Sequence, residues 1–269
     1  MPNFIALLVK RQQKFPLSNH VVLFLLTLGL LSGWKCAQAS TPQTAPPELK
    51  NLLTQIDTAA SQGNVPKVMQ FYSPNFTTGD GLTRPNMEKA LMGFQQRYPQ
   101  LKYSTQLQSW KSEGNDIIAE TVTNITGSPS ANSNNLALNA TITSRQRISG
   151  ALIVRQDILT ERTQLTSGAK PPQVDIKLPQ QVQVGQQYNF DAIVQEPLGD
   201  DFLLGTALEE PILPEKYLNP TSVDLELLTT GGLFKTGRAP LTPGSQWLSA
   251  VILHKEGMTM ITQRIQVVR

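Results

Sequence analysis

The sequence predicts an α+β fold: three N-terminal helices packed on a curved four-stranded antiparallel sheet (a cone), followed by a C-terminal all-β sandwich. Three observations predict it. Apolar residues recur at helical spacing as far as Tyr98 and at alternate positions after Pro99, so the period changes from 3.6 to 2. A break, Thr166-Ser167-Gly168-Ala169-Lys170-Pro171-Pro172, interrupts the strand pattern with turn-forming residues. Beyond it no amphipathic helix can be read, only short alternating runs separated by turns. The expected layout is a signal peptide at 1–39, a Pro-rich linker at 40–47, an α+β domain at 48–166, a linker at 167–172 and a sandwich at 173–269.

The first helix is carried by Leu49, Leu52, Leu53, Ile56 and Ala60, which fall on one face, and Gln62-Gly63-Asn64 ends it. Asn64 can cap a second helix, with Pro66 tolerated in its first turn and Val65, Val68, Met69 and Tyr72 as its apolar face; Pro74 stops it. Thr77-Thr78-Gly79-Asp80-Gly81 reads as a turn. Thr83 can cap a third helix bearing Met87, Ala90, Leu91, Phe94 and Tyr98, closed by Pro99. Four strands follow, the first marked by the alternation of Tyr103-Thr105-Leu107 and the others at about 117–125, 136–148 and 151–165, with a polar turn at 127–135 and a tight one at Ser149-Gly150. In the second domain, alternating runs around Val174-Ile176, Tyr188-Phe190-Ala192 and Val223-Leu225-Leu227 precede a hairpin. Its strands flank His254-Lys255-Glu256-Gly257.

The leader decides the address. Lys10, Arg11 and Lys14 precede an apolar run at 21–31, and Ala37-Gln38-Ala39 supplies small residues at −3 and −1, so cleavage between Ala39 and Ser40 is expected. The apolar run is shorter than the roughly 20 residues a membrane helix needs, so no stable span is expected after cleavage. The expected location is the periplasm or thylakoid lumen of a bacterium, or the medium. Of 23 basic residues, Lys10, Arg11, Lys14 and Lys35 lie in the leader, leaving 19 against 20 acidic ones. A near-neutral chain without a Lys/Arg stripe is no nucleic-acid binder. The single cysteine, Cys36, also lies in the leader, without the small residues of a lipid-modification box. The mature chain therefore has no disulfide and no thiol nucleophile. Its one histidine, His254, cannot make a Cys/His zinc site, so no metal and no cofactor are expected.

The run Ala59-Ala60-Ser61-Gln62-Gly63-Asn64-Val65-Pro66-Lys67-Val68-Met69-Gln70-Phe71-Tyr72-Ser73-Pro74-Asn75-Phe76, with Gly79-Asp80-Gly81 after it, resembles the opening of nuclear transport factor 2-like domains. This is the superfamily of ketosteroid isomerase and the small SnoaL-like polyketide cyclases. The resemblance covers about residues 47–166. It implies a cone whose interior is a ligand cavity, closed at one end by the first helices. The second half resembles the immunoglobulin-like domains appended to bacterial surface proteins, and the whole layout is similar to exported cyanobacterial proteins.

A cone interior directs attention to carboxylates. Glu120, Asp116 and Asp157 are candidates, with Arg145, Arg147 and Arg155 as counter-ions; Asp157 with Arg155, and Glu120, are the candidate catalytic residues. The competing reading is an exposed ion pair of little energetic weight. Residues 232–239 share the outer spacing of a phosphate loop, but Arg238 and Ala239 stand where Lys and Ser/Thr are needed. They are read as a turn or bulge with Phe234 as a packed anchor. Glu196, Asp200, Asp201, Glu209 and Glu210 surround a loop but match no calcium-loop spacing. The function expected is an exported, non-catalytic binding or scaffold protein. Its cone would hold a small apolar ligand or form a homodimer surface, and its sandwich would contact a protein partner. The alternative is an isomerase, cyclase or hydrolase using a cone carboxylate. N-terminal sequencing of the exported protein should read Ser40 first; an intact leader would make the chain N-terminally anchored instead.

Overall fold

The sheet that the sequence divides into two is continuous. A computed structural model describes residues 40–129, 135–196, 202–219 and 221–269. The expected leader with Ala39, Asp200, Asp201 and the tip of the polar turn lie outside the described residues. The helices are α1 (Pro47–Ser61), α2 (Val65–Met69) and α3 (Arg84–Arg97). The strands are β1 (Tyr72–Thr78), β2 (Leu101–Glu113), β3 (Asp116–Gly127), β4 (Ala137–Ser149), β5 (Leu152–Gly168), β6 (Val174–Lys177) and β7 (Gln181–Gln183). They continue with β8 (Gln187–Val194), β9 (Leu203–Pro211), β10 (Glu226–Leu228), β11 (Gly232–Arg238), β12 (Gly244–His254) and β13 (Gly257–Val268). Ten of these strands form one sheet, in the order β10-β9-β12-β13-β5-β4-β3-β2, with β1 beside β5 and β7 beside β13. The pairs along that path are antiparallel, and β1 and β7 are added in parallel. A second sheet has three strands, β11-β8-β6.

This corrects the expected fold class. The helices do not rest on a separate four-stranded sheet, and there is no independent sandwich after it. The overturning feature is β5, 17 residues long. One edge of it pairs with β4 from Leu152 to Thr166. Its other edge is divided: Ile153 to Gln156 meet β1, and Arg162 to Gly168 meet β13. Residues 167 and 168, read as the start of the linker, are the last ladder positions of that strand. Backbone pairing overrode the turn propensity of Ser167 and Gly168.

The two ends of the sheet are covered on opposite faces. Near β2–β5 the helices pack on one face, around Leu49, Leu52, Leu53, Met69, Phe76, Ala119 and Ile153. At the other end the three-stranded sheet packs its Tyr188, Phe190, Ala192 and Leu233 against Leu203, Leu248, Ile252, Ile265 and Val267. On β13, Ile265 and Val267 alternate with Arg264, and it is Arg264 that touches Glu161 on the helix-covered face.

Local chemistry explains the elements and two further departures. Gly63 ends α1 in the left-handed conformation (φ 68°), and Asn64 Oδ1 accepts from the Lys67 backbone N at 3.0 Å to cap α2. Tyr72 does not extend α2. It opens β1, which tolerates Pro74 because its single ladder leaves one edge free. Thr83 makes no side-chain cap on α3. Along β2, α1 supplies acceptors for backbone donors: Tyr103 N donates to Ser61 Oγ at 2.9 Å and Thr105 N to Asp57 Oδ2 at 2.6 Å. Farther along, Trp110 exchanges two backbone hydrogen bonds with Ser40.

Gly168 is where β5 meets the hairpin. Its φ is +91°, and a Cβ there would lie 2.3 Å from the Glu256 carbonyl and 2.5 Å from Gly257 Cα, both backbone atoms. Gly168→Ala should lower stability by about 2 kcal/mol or more, through strain and a displaced β5–β13 ladder. Gly93, inside α3, has nothing within 4 Å of a Cβ, so Gly93→Ala should gain about 0.5–1 kcal/mol. Urea melts of both variants against the parent measure the contrast.

Candidate functional site

A cavity of about 300 Å³ lies between α3 and the helix-covered face of β3, β4 and β5. Its walls include Leu82, Met87, Leu91, Phe94, Ile142 and Ile158. Its polar lining includes Glu161 and Tyr217, which both touch Arg264 Nη2 at 3.3 Å, together with Gln156, Thr163 and Tyr103. Burial pushes the Tyr103 phenol up to about 12, so it enters neutral and able to donate. The apolar wall comes from the helical spacing of α3 and from alternate residues of the strands.

Glu161 reaches this cavity because of a β-bulge. Gln156 and Ile158 line it, so simple alternation would send Glu161 to the opposite face. The register shifts between Thr143/Ser144 on β4 and Thr160/Ile158 on β5, leaving Leu159 unpaired. After that extra residue Glu161 and Thr163 face the cavity. The bulge is pinned from the neighbouring strand, since Gln266 Nε2 donates to the Leu159 carbonyl at 2.8 Å.

Behind Glu161 is a buried charge cluster joining both halves of the chain. Arg264 is 1% exposed at its side chain, Asp80 10% and Glu161 17%. Arg264 clamps Asp80 through two bonds of 2.9 Å and reaches Glu161 Oε2 at 3.3 Å. Trp247 Nε1 donates to the same Oε2 at 2.9 Å, and Tyr217 Oη donates to Asp80 Oδ2 at 2.9 Å. The Tyr217 and Trp247 rings meet edge to face at 4.8 Å. Burial works against the Arg264 cation. Its bonds to Asp80 and the charge of Glu161 outweigh that and hold the guanidinium above its ordinary value. Burial first, then the charges of Glu161 and Asp80, push the Tyr217 phenol upward. Glu161 Oε1 has no hydrogen-bond partner among the described residues.

The sequence-derived candidates stand elsewhere. Glu120, Arg145 and Asp157 are cross-strand neighbours on β3, β4 and β5, on the face opposite the cavity. Arg145 donates to Glu120 Oε1 at 2.7 and 3.0 Å, and Arg155 lies 2.8 Å from Asp157 Oδ1. Arg147 bridges Asp116 and Glu113 at 3.0 and 3.1 Å. Bonds from Ser149 and Arg147 hold the Asp116 carboxyl below its usual range. These side chains are a quarter to a half exposed, and none lines the cavity.

The remaining motifs are structural. Residues 232–238 form β11, where a Cβ on Gly232 would meet the Ala192 carbonyl at 2.1 Å and one on Gly237 the Tyr188 ring at 2.5 Å. Those glycines permit close approach to β8, and Phe234, expected as a packed anchor, is 55% exposed. Of the acidic loop residues, Glu196 accepts from Gln173 N, and Glu210 takes Lys216 and Thr221. No group of three potential metal ligands occurs among the described residues.

Comparisons with known proteins reach parts of the chain. A family model described as a domain of unknown function (DUF8623) matches residues 169–268. No curated protein matches. Solved structures similar to part of the chain include Bd1075 of Bdellovibrio bacteriovorus, at 14% identity and TM-score 0.33, covering 41% of this chain and 38% of that one. The match thus spans well under half the length of Bd1075. A cystatin-fold protein from Novosphingobium aromaticivorans shares 12% identity over 42% of this chain and 98% of its own, at TM-score 0.33. An NTF2-like protein from Cytophaga hutchinsonii shares 14% over 43% and 91%, at TM-score 0.26.

The two charge systems should respond differently to mutation. Arg264→Leu leaves Asp80 and Glu161 buried without their cation and should cost about 3–5 kcal/mol. Asp157→Asn, in a partly solvated pair, should cost less than about 1 kcal/mol. Chemical denaturation of both variants at neutral pH checks the difference.

Proposed function

We propose that this is an exported binding protein whose cavity takes a small, mainly apolar ligand oriented by Glu161. The observation that carries the reading is the cavity itself: about 300 Å³ with mostly apolar walls and a few polar groups, Glu161 among them. That volume is at the lower limit of ordinary ligand sites and equals about ten water volumes of ~30 Å³. The nuclear transport factor 2-like plan of residues 47–166 belongs to this proposal, supported by the run from Ala59 to Phe76 and by a cavity bounded by helix and sheet. Export to the periplasm or thylakoid lumen rests on the leader. Contact with a protein partner through the C-terminal half is supported by the exposure there of Phe202, Leu227 and Leu241.

A second reading is kept for a specific reason. A carboxylate in an apolar cavity beside a tyrosine is the arrangement a carbon-acid isomerase or cyclase needs for its general base. Glu161 has one oxygen to spare for that role. Its other oxygen is committed to Arg264 and Trp247, which favours a fixed recognition group.

Filling the cavity tests the binding reading. Ala140 lines it and is 4% exposed, so Ala140→Phe should occupy part of its volume. Binding of naphthalene, followed by calorimetry, should weaken at least about tenfold, as expected when about 1.4 kcal/mol of contact is lost. Equal binding by parent and variant would place the ligand elsewhere. Turnover of a carbon acid that vanishes in Glu161→Gln with an unchanged melt would promote the second reading.

A further inference from the structure

We infer that the cavity selects apolar molecules with a single cationic head group, a primary ammonium, and rejects the matching carboxylates. The inference rests on the binding reading above and adds the ligand's charge. Glu161 carries the only formal charge among the cavity-lining residues, and it is negative. Arg264, the nearest cation, does not line the cavity. Its guanidinium makes two bonds to Asp80, one contact of 3.3 Å to Glu161 and one of 3.3 Å to Tyr217 Oη, while its Nε is buried without a partner among the described residues.

The cluster of Asp80, Glu161 and Arg264 therefore holds one net negative charge beside an apolar chamber. The two neutral donors beside the cluster are committed, Trp247 Nε1 to Glu161 and Tyr217 Oη to Asp80. What the site offers an incoming head group is an acceptor, Glu161 Oε1. An ammonium supplies three donors and the missing positive charge. A carboxylate would bring like charge into a low-dielectric space and find no free cation. A hydroxyl can donate one hydrogen bond but leaves the charge uncompensated.

The selectivity can be read with three molecules of nearly one shape: 2-phenylethylamine, 2-phenylethanol and phenylacetate. Each is titrated into the full exported chain at pH 7 by calorimetry, with Trp247 emission as the second signal. The amine should bind at least about tenfold tighter than the alcohol, and phenylacetate should show no measurable binding. In Glu161→Gln the amine should fall to within about threefold of the alcohol. Asp157→Asn removes the same charge from the opposite face and should keep the full preference. Because the parent protein alone reads the order of the three probes, a poorly folded Glu161→Gln does not remove the test.

Equal binding of all three probes would overturn the charge selection and leave the cavity reading standing. Phenylacetate binding as tightly as the amine would do the same. A preference that survives in well-folded Glu161→Gln would overturn the role of Glu161. No binding of any probe, with naphthalene also bound equally by parent and Ala140→Phe, would overturn both readings together.

Discussion

The ladder between β5 and β13 is the constraint on which the rest of this structure depends. Seven residue pairs, from Gly257↔Gly168 to Gln263↔Arg162, fuse what would otherwise be two sheets. The helices then cover one face at one end, and the three-stranded sheet covers the other face at the other end. Neither cover can shift without moving the shared layer. The same ladder brings Arg264 beside Glu161 and Gln266 beside the Leu159 bulge, so the Glu161 part of the cavity is built by strands about a hundred residues apart in sequence. Loop-closure entropy opposes so distant a pairing, and apolar burial on both faces of the layer offsets it.

The charge cluster shows why buried ions are a matter of position more than of stability. Taking Asp80, Glu161 and Arg264 out of water costs several kcal/mol per ion before any pairing. The bidentate clamp on Asp80 and the Trp247 and Tyr217 donors offset that cost without leaving a surplus on the scale of a hydrophobic core. What the arrangement secures is geometry: Glu161 is held from behind, by Oε2, while its other oxygen stays available to the chamber. Tyr217 comes from a short 3-10 helix, Pro214–Tyr217, after β9, so the chamber is completed by a residue remote from its walls.

Much of the element order was legible. The 3.6-residue spacing of Leu49, Leu52, Leu53 and Ile56 gave α1, and the Asn64-Val65-Pro66 signal gave the cap of α2. The alternation around Trp247 to Arg264 gave the final hairpin. The fold class was not legible, because Ser167 and Gly168 have the composition of a linker and only their partner, Gly257, makes them a ladder. The site was missed for a related reason. Strict alternation along β5 groups Glu161 with Arg155 and Asp157, and nothing in the local sequence marks Leu159 as the residue that breaks the count. Asp80 could have been noticed: an acid between two glycines, Gly79 and Gly81, sits on a backbone free to turn it inward. Its partner Arg264 was visible only as one of several polar positions on the last strand.

The dressing of β2 by α1 has a consequence for how copies of the protein meet at high concentration. An open ten-stranded sheet has two rims, and each is a template onto which a second copy could zip. On one rim β10 is only three residues long. On the other, the amides of Tyr103, Thr105 and Trp110 are already occupied by Ser61, Asp57 and Ser40. Ser40 is therefore a stopper on the exposed rim. Processing that removed Ser40 and its neighbours would free a stretch of backbone for polymerisation while leaving the cavity walls intact.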